Sequence, residues 1–147
     1  MKVVAALALV LLAAGCGGGA GQRFPATDGW YVGSEHVYSW ASTVPYRDCP
    51  NCVPPHDTLA ALPPEGIVVQ LSAVRERHSS SAGSWPPRIR SRDVKAGFEG
   101  VPRRYGAFQS SVRAGRIERS IYVWFGRAHP TPTQLAKANA ELARLRF

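Results

Sequence analysis

The sequence predicts a small α+β domain, an antiparallel sheet packed by one C-terminal helix. Three stretches predict it. Gly66–Val74 is a run of aliphatic residues entered through a turn sequence, Tyr105–Gly126 reads as two alternating strands, and Thr131–Leu145 carries an apolar stripe behind a capping sequence. Strands followed by a single terminal helix place that helix against one face of the sheet.

Gly29–Ser42, GWYVGSEHVYSWAS, is rich in aromatic and β-branched residues and reads as one strand broken at Gly33, with Tyr31, Val37 and Trp40 as core positions. Thr43–Pro55 holds Pro45, Pro50, Pro54 and Pro55, and proline lacks the N–H that a helix or sheet interior needs, so this stretch is a loop. Asp57 stands where it would cap one short turn, Thr58–Leu62, ended by Pro63-Pro64. In Gly66–Val74, Ile67, Val69, Leu71 and Ala73 share one face, while Val68 and Val74 make the other face apolar too. A strand apolar on both sides belongs in the middle of a sheet.

His78–Ser84 reads as a surface loop, ended by Trp85-Pro86-Pro87. Arg88–Arg92 follows as an extended or irregular stretch, and Ser91 is placed to cap a short helix in which Val94 and Phe98, four apart, share a face. With Ala114-Gly115 as the turn of a hairpin, Phe108, Val112, Ile117, Ile121, Val123 and Phe125 fall on one face. Gln109, Ser111, Arg113, Arg116, Glu118 and Ser120 fall on the other, where Tyr122 and Trp124 also sit. Two such rings on a polar face are expected to be buried, packed under the C-terminal element, because large aromatics are seldom left exposed without a function.

Thr131-Pro132-Thr133-Gln134 has capping-box order, with Thr131 as N-cap, Pro132 at the first helical position and Gln134 able to reach back. Leu135, Ala138, Leu142 and Leu145 make the apolar stripe, and Lys137, Glu141 and Arg144 are expected to face water.

The amino-terminal end carries a different signal. Lys2 precedes the unbroken apolar segment Val3–Ala14, and the small residues Ala13, Ala14 and Gly15 lead into Cys16. At about 1.5 Å per residue the apolar segment spans about 18 Å as a helix, short of the roughly 30 Å hydrocarbon core, so it reads as a signal peptide. Leu11-Leu12-Ala13-Ala14-Gly15-Cys16 resembles the lipobox of bacterial lipoprotein precursors, with Ala13 where leucine is commoner. The resemblance covers only this leader, and the alternative is an ordinary secretory peptide cut near Gly15–Gly19. It implies cleavage before Cys16, lipidation of the Cys16 thiol, and a mature chain anchored on the extracytoplasmic face of the membrane. Residues 1–15 would then be the signal peptide, 16–28 the lipidated cysteine and a flexible glycine-rich tether, and 29–147 one domain.

The chain has 18 basic and 10 acidic side chains and a formal net charge of +8. Such charge favours anionic partners, while arginines spread through the chain and not gathered on one helix face equally fit a merely solvated surface. Arg88, Arg90 and Arg92 alternate, which would put all three on one side of a strand, and with Arg103 and Arg104 they form a candidate anion-binding set, to which Arg113 and Arg116 would add. The absence of any nucleic-acid reader motif argues against nucleic acid, leaving an envelope protein or an envelope polyanion as the partner.

Cys49 and Cys52 remain as an even pair in a compartment that permits disulfides, and a local disulfide clipping the proline-rich loop is the favoured reading. The rival is a secreted redox or metal-dependent enzyme centred on the pair, in which His56 and His36 would complete a metal site. Without a nucleophile motif, a carboxylate pair or a phosphate-binding glycine loop, the sequence nominates no catalytic residue, metal or cofactor.

Overall fold

A computed structural model of the 147-residue chain describes residues 23–35, 38–49, 51–74, 82–98, 100–114 and 117–145. The leader, Cys16, His36, Val37, the greater part of the loop expected at His78–Ser84, and Arg116 lie outside the described residues. The elements are β1 (Tyr31–Glu35), β2 (Tyr38–Ser42), α1 (His56–Ala60), β3 (Ile67–Val74), β4 (Gly83–Ser84), β5 (Lys95–Ala96), β6 (Gly106–Ala114), β7 (Ile117–Phe125) and α2 (Pro132–Arg144).

The aliphatic strand β3 takes the central place that its two apolar faces demand. It pairs antiparallel with β2 on one edge and β7 on the other, in a seven-stranded sheet of order β1-β2-β3-β7-β6-β4, and the short β5 shares the far edge of β6. Among the described strands only the two-residue β4 runs parallel to its neighbour. Pairing register explains the layering. Val32, Ala41, Val69, Val123 and Phe108 stand opposite one another across five strands, and this row lies in one apolar cluster with Ile67, Leu71, Ile121, Phe125 and Val112. Helix α2 covers that face with Ala138, Leu142 and Leu145, lying over β3.

The other face is covered as well. Val68, Trp124 and Ala107 form its central row and pack beneath Leu59 and Leu62 from α1 and its following turn, and beneath Val101 and Tyr105. Trp124 is therefore buried as expected and Tyr122 partly so, but under the irregular segments and not under α2. Among the described residues the architecture is α+β, a sheet with the one long helix, α2, on one side and α1 with irregular segments on the other.

Several local expectations need correction. The stretch from Tyr31 is a hairpin of two strands, with Glu35 opposite Tyr38. Gly33 stands beside Trp40, and a Cβ there would collide with the indole, so glycine permits the pairing instead of ending a strand. Tyr31 is 53 % exposed on the edge strand and is not a core residue. Phe24, expected in the tether, is buried in the α2-side cluster, and Thr27 bridges Trp30 around Gly29 at φ +81°, so Phe24 belongs to the core of the domain. The β6–β7 register pairs Phe108 with Val123 and Ala114 with Ile117, two residues away from the expected alignment. A shift of two preserves the faces, which is why the hydrophobic pattern alone did not distinguish the two registers.

No helix forms at Ser91–Phe98. A single 3-10 turn, Ser91–Asp93, is capped at its start by the Asp93 carboxylate, which accepts the Arg90 backbone N–H at 3.0 Å, and it ends at Val94, whose extended backbone (φ −91°, ψ 129°) leads into β5. Helix α2 does start as predicted: Thr131 Oγ1 accepts the Gln134 N–H at 3.2 Å and Gln134 Oε1 accepts the Thr131 N–H at 3.0 Å. Its Asn139 side chain also completes the backbone of buried Ile89, accepting from its N–H at 2.8 Å and donating to its carbonyl at 3.0 Å.

Candidate functional site

Two places combine polar side chains with burial. The first is the cysteine loop. Cys49 and Cys52 form a disulfide with Cα atoms 5.2 Å apart, and the Cys52 N–H donates to the Cys49 carbonyl at 3.0 Å. The loop is fastened from both sides. Buried Gln70, on β3, donates from Nε2 to the Cys52 carbonyl at 2.8 Å and to the Tyr46 hydroxyl at 2.9 Å, while its Oε1 accepts from Trp124 Nε1 at 2.9 Å. The Tyr46 ring stacks on Trp40, and burial, with Asp48 nearby, pushes its hydroxyl up to about 12.

Asp48 does the capping expected of Asp57. Its carboxylate accepts the N–H groups of Asp57 and Thr58, at 3.0 and 2.8 Å, and the Thr58 hydroxyl, satisfying the start of α1 from outside the helix. Asp57 lies inside the first turn, and Pro55, which precedes the helix, offers no side-chain cap. We expect Asp48→Ala to cost about 1–3 kcal/mol, since it orphans buried donors, against about 2 kcal/mol for Cys49→Ser, the loop-closure value for so short a clip. Urea unfolding of the two variants measures both losses. Loss of a measurable activity in Cys49→Ser at unchanged stability would instead mark the pair as redox-active.

The second place is a cleft of about 240 Å³ between α2 and the 27–30 turn, lined among others by Thr27, Asp28, Trp30, Thr43, Lys137, Glu141 and Arg144. Glu141 corrects an expectation. It does not face water: it is 1 % exposed, and its Oε1 has no hydrogen-bond partner among the described residues. Burial raises its pKa above 4.5, and Arg144 offsets part of that rise. Lys137 and Arg144 are exposed, as expected.

The pH consequence follows from the sign of that shift. A carboxyl whose pKa is raised by folding favours the folded state below its unfolded value, and that contribution is lost as pH climbs through the folded value. Glu141→Met is therefore expected to raise the melting temperature at neutral pH, by an amount that shrinks as pH falls toward 4.5.

The candidate anion-binding arginines are all exposed, but the structure does not gather them on one strand face. Arg88 and Arg90 flank Ile89, which is buried on the α2 side; the 3-10 turn then takes Arg92 out of any strand alternation. Arg90 is held by Asp93, Nε to Oδ2 at 2.9 Å. Arg103 and Arg104 belong to the segment that covers the opposite face, where the Arg104 guanidinium lies 4.7 Å above the Tyr105 ring. His56 begins α1 and lines a shallow pocket with Arg104 and Tyr105. Among the described residues no three His, Cys, Asp or Glu side chains are grouped to hold a metal ion.

The chain matches no family model, no curated protein and no solved structure. Of the buried charged side chains that the sequence reading placed at the surface or left aside, Glu141 has a detectable signal: Ala138, Glu141 and Leu145 recur at helical spacing and put the carboxylate inside the apolar stripe. Arg119 left a similar one, since it alternates with Ile121 and Val123 on the α2 side; it is buried, and desolvation lowers its pKa to about 10.

Proposed function

We propose that this chain is an envelope lipoprotein, held on the extracytoplasmic face of the membrane by lipid on Cys16, whose α+β domain is a non-enzymatic binding module for a protein or an anionic envelope component. The observation that carries the reading is the order Lys2, apolar Val3–Ala14, small Ala13-Ala14-Gly15, then Cys16. Two acyl chains, each stabilised by about 0.8 kcal/mol per buried CH2, give an anchor that one chain does not. Among the described residues no helix is long and apolar enough to cross a membrane. The glycine-rich composition of Gly17–Gly21 suits a tether between anchor and domain, and the net charge of +7 left when Lys2 goes with the leader (17 basic against 10 acidic side chains) favours an anionic partner.

Mass spectrometry of the protein recovered from cells tests it. The expected product begins at Cys16, carries the added mass of acyl chains and sediments with membranes, and Cys16→Ser is expected to move essentially all of it to the soluble fraction. An unacylated chain still beginning at Met1 would overturn the placement.

A further inference from the structure

The outer face of α2 lacks the mixed charge usual on the exposed side of a helix. Beyond its first turn the exposed positions are Ala136, Lys137, Ala140, Ala143 and Arg144, three small side chains and two cations with no carboxylate among them. The acid of this helix, Glu141, is buried. Lys137 and Arg144 are seven residues apart, two turns or about 10.5 Å along the axis, so they stand on one side with Ala140 between them. Alanine puts little bulk between the helix and a surface laid against it, while the two long side chains reach past it.

The chain enters the domain on this same side. Exposed Arg23 precedes Phe24, which is buried with Ala138, Leu142 and Leu145, and the 27–30 turn lies across the cleft from Lys137, Ala140 and Arg144. On the other flank of the helix, Asn139 holds the backbone of Ile89, and neighbouring Arg88 is exposed. Arg23, Arg88, Lys137 and Arg144 together outweigh Asp28, the acid exposed on the turn. Eight residues lead from Cys16 to Phe24. As a flexible stretch they span about 16 Å r.m.s., and about 28 Å when fully extended.

We propose that α2 is the membrane-facing surface of the anchored domain, its alanine face lying on anionic lipid headgroups of the leaflet that holds the Cys16 acyl chains, with Lys137 and Arg144 as the headgroup contacts. This inference rests on the anchor proposed above and names the anionic component that the domain meets. The short linker favours lipid over a protein occupant, because it keeps the α2 side within about 28 Å of the bilayer and so presents headgroups at high effective concentration as soon as the anchor inserts. A second copy, also carrying +7 once Lys2 is removed (17 basic against 10 acidic side chains), is repelled by the first. Each Lys or Arg near an anionic leaflet shifts the equilibrium about fivefold toward contact.

The lysines supply the test. The chain that follows the leader has two, Lys137 and, in the short strand β5 at the far edge of the sheet, exposed Lys95. The acylated protein recovered from cells is added to preformed vesicles of phosphatidylcholine, or of equal parts phosphatidylcholine and phosphatidylglycerol, and treated with a water-soluble amine-reactive ester. Mass spectrometry then quantifies the two sites. Lys137 is expected to react about fivefold or more slowly on the anionic vesicles than on the neutral ones, with Lys95 little changed. In about 1 M salt, where the screening length falls to about 3 Å, the difference should vanish while the protein still floats with the vesicles. Arg144→Gln is expected to lose about fivefold of the Lys137 protection at an unchanged melting temperature.

Equal Lys137 reactivity on the two vesicles, equal protection of Lys95, or protection that follows protein density on neutral vesicles, as an interface between copies would give, would each overturn the assignment. A chain that carries no acyl group and fails to float with neutral vesicles removes the anchor and the inference with it. An acylated chain that floats with both vesicles and shows no lipid-dependent protection removes only the docking face.

Discussion

Trp124→Ala is expected to remove about 3–5 kcal/mol, the range for truncating a fully buried tryptophan. The indole is wholly enclosed between the β3–β7 pair and the covering residues Leu59, Leu62, Val101 and Tyr105. Its loss opens a cavity beneath that cover. A second loss adds to the first. Trp124 Nε1 is the donor to Gln70 Oε1, and Gln70 fastens both Tyr46 and the Cys52 carbonyl, so removing the indole orphans a buried acceptor at the base of the cysteine loop. Trp124→Phe isolates the second term, because it keeps most of the ring and deletes the N–H; about 1–3 kcal/mol is expected. Urea denaturation measures both, and a double-mutant cycle with Gln70→Ala should show a coupling of about 0.5–3 kcal/mol. Against a typical stability of about 5–15 kcal/mol, that loss is a large fraction of the total and should lower the urea midpoint clearly.

The contrast between the two faces of the sheet explains what could be read beforehand. The α2 side is assembled from regular elements, and period-two strands packed by a period-3.6 helix leave their pattern in the sequence: Ile67, Val69 and Leu71, then Ile121, Val123 and Phe125, then Ala138, Leu142 and Leu145. The other side is covered by Leu59, Leu62, Val101 and Tyr105, which come from a five-residue helix and irregular chain with no period to detect. Long-range polar contacts leave even less trace. Asp48 caps a helix nine residues away, and Gln70 joins a strand to a loop through bonds spanning 18 and 24 residues, so neither follows any local spacing. Glu141 failed for a different reason. The helical spacing placed it in the stripe, and the general preference of carboxylates for water overrode that spacing in the reading. A position where local pattern and residue type conflict is where a functional requirement is to be sought.

Gly126→Ala is expected to cost at least as much as a large core truncation, about 3 kcal/mol or more, and to lower the yield of folded protein. The residue follows β7 at the point where three parts of the chain meet: the Pro63–Gly66 turn that enters β3, the end of β7, and the start of α2. Its N–H donates to the Gly66 carbonyl at 3.0 Å, and the turn itself closes through Gly66 N–H to the Pro63 carbonyl at 2.8 Å. A Cβ on Gly126 would run into the Pro63 carbonyl oxygen and lie 2.7 Å from its carbon. That obstacle is backbone, and proline on both sides of the bond keeps it from turning aside. Relief requires the turn and β7 to separate, and Gln134 carries the strain onward, because the side chain that caps α2 also donates to the carbonyls of Pro64 and Gly66, at 3.0 and 3.3 Å. Gly100→Ala is the matching control. Gly100 has φ +83° and nothing within 4 Å of a built Cβ, so alanine there meets only the left-handed backbone cost of about 1–2 kcal/mol. Thermal unfolding of the two variants should therefore separate them clearly, and a Gly126→Ala protein no less stable than Gly100→Ala would mean that the turn, β7 and α2 are not locked together in the way this junction requires.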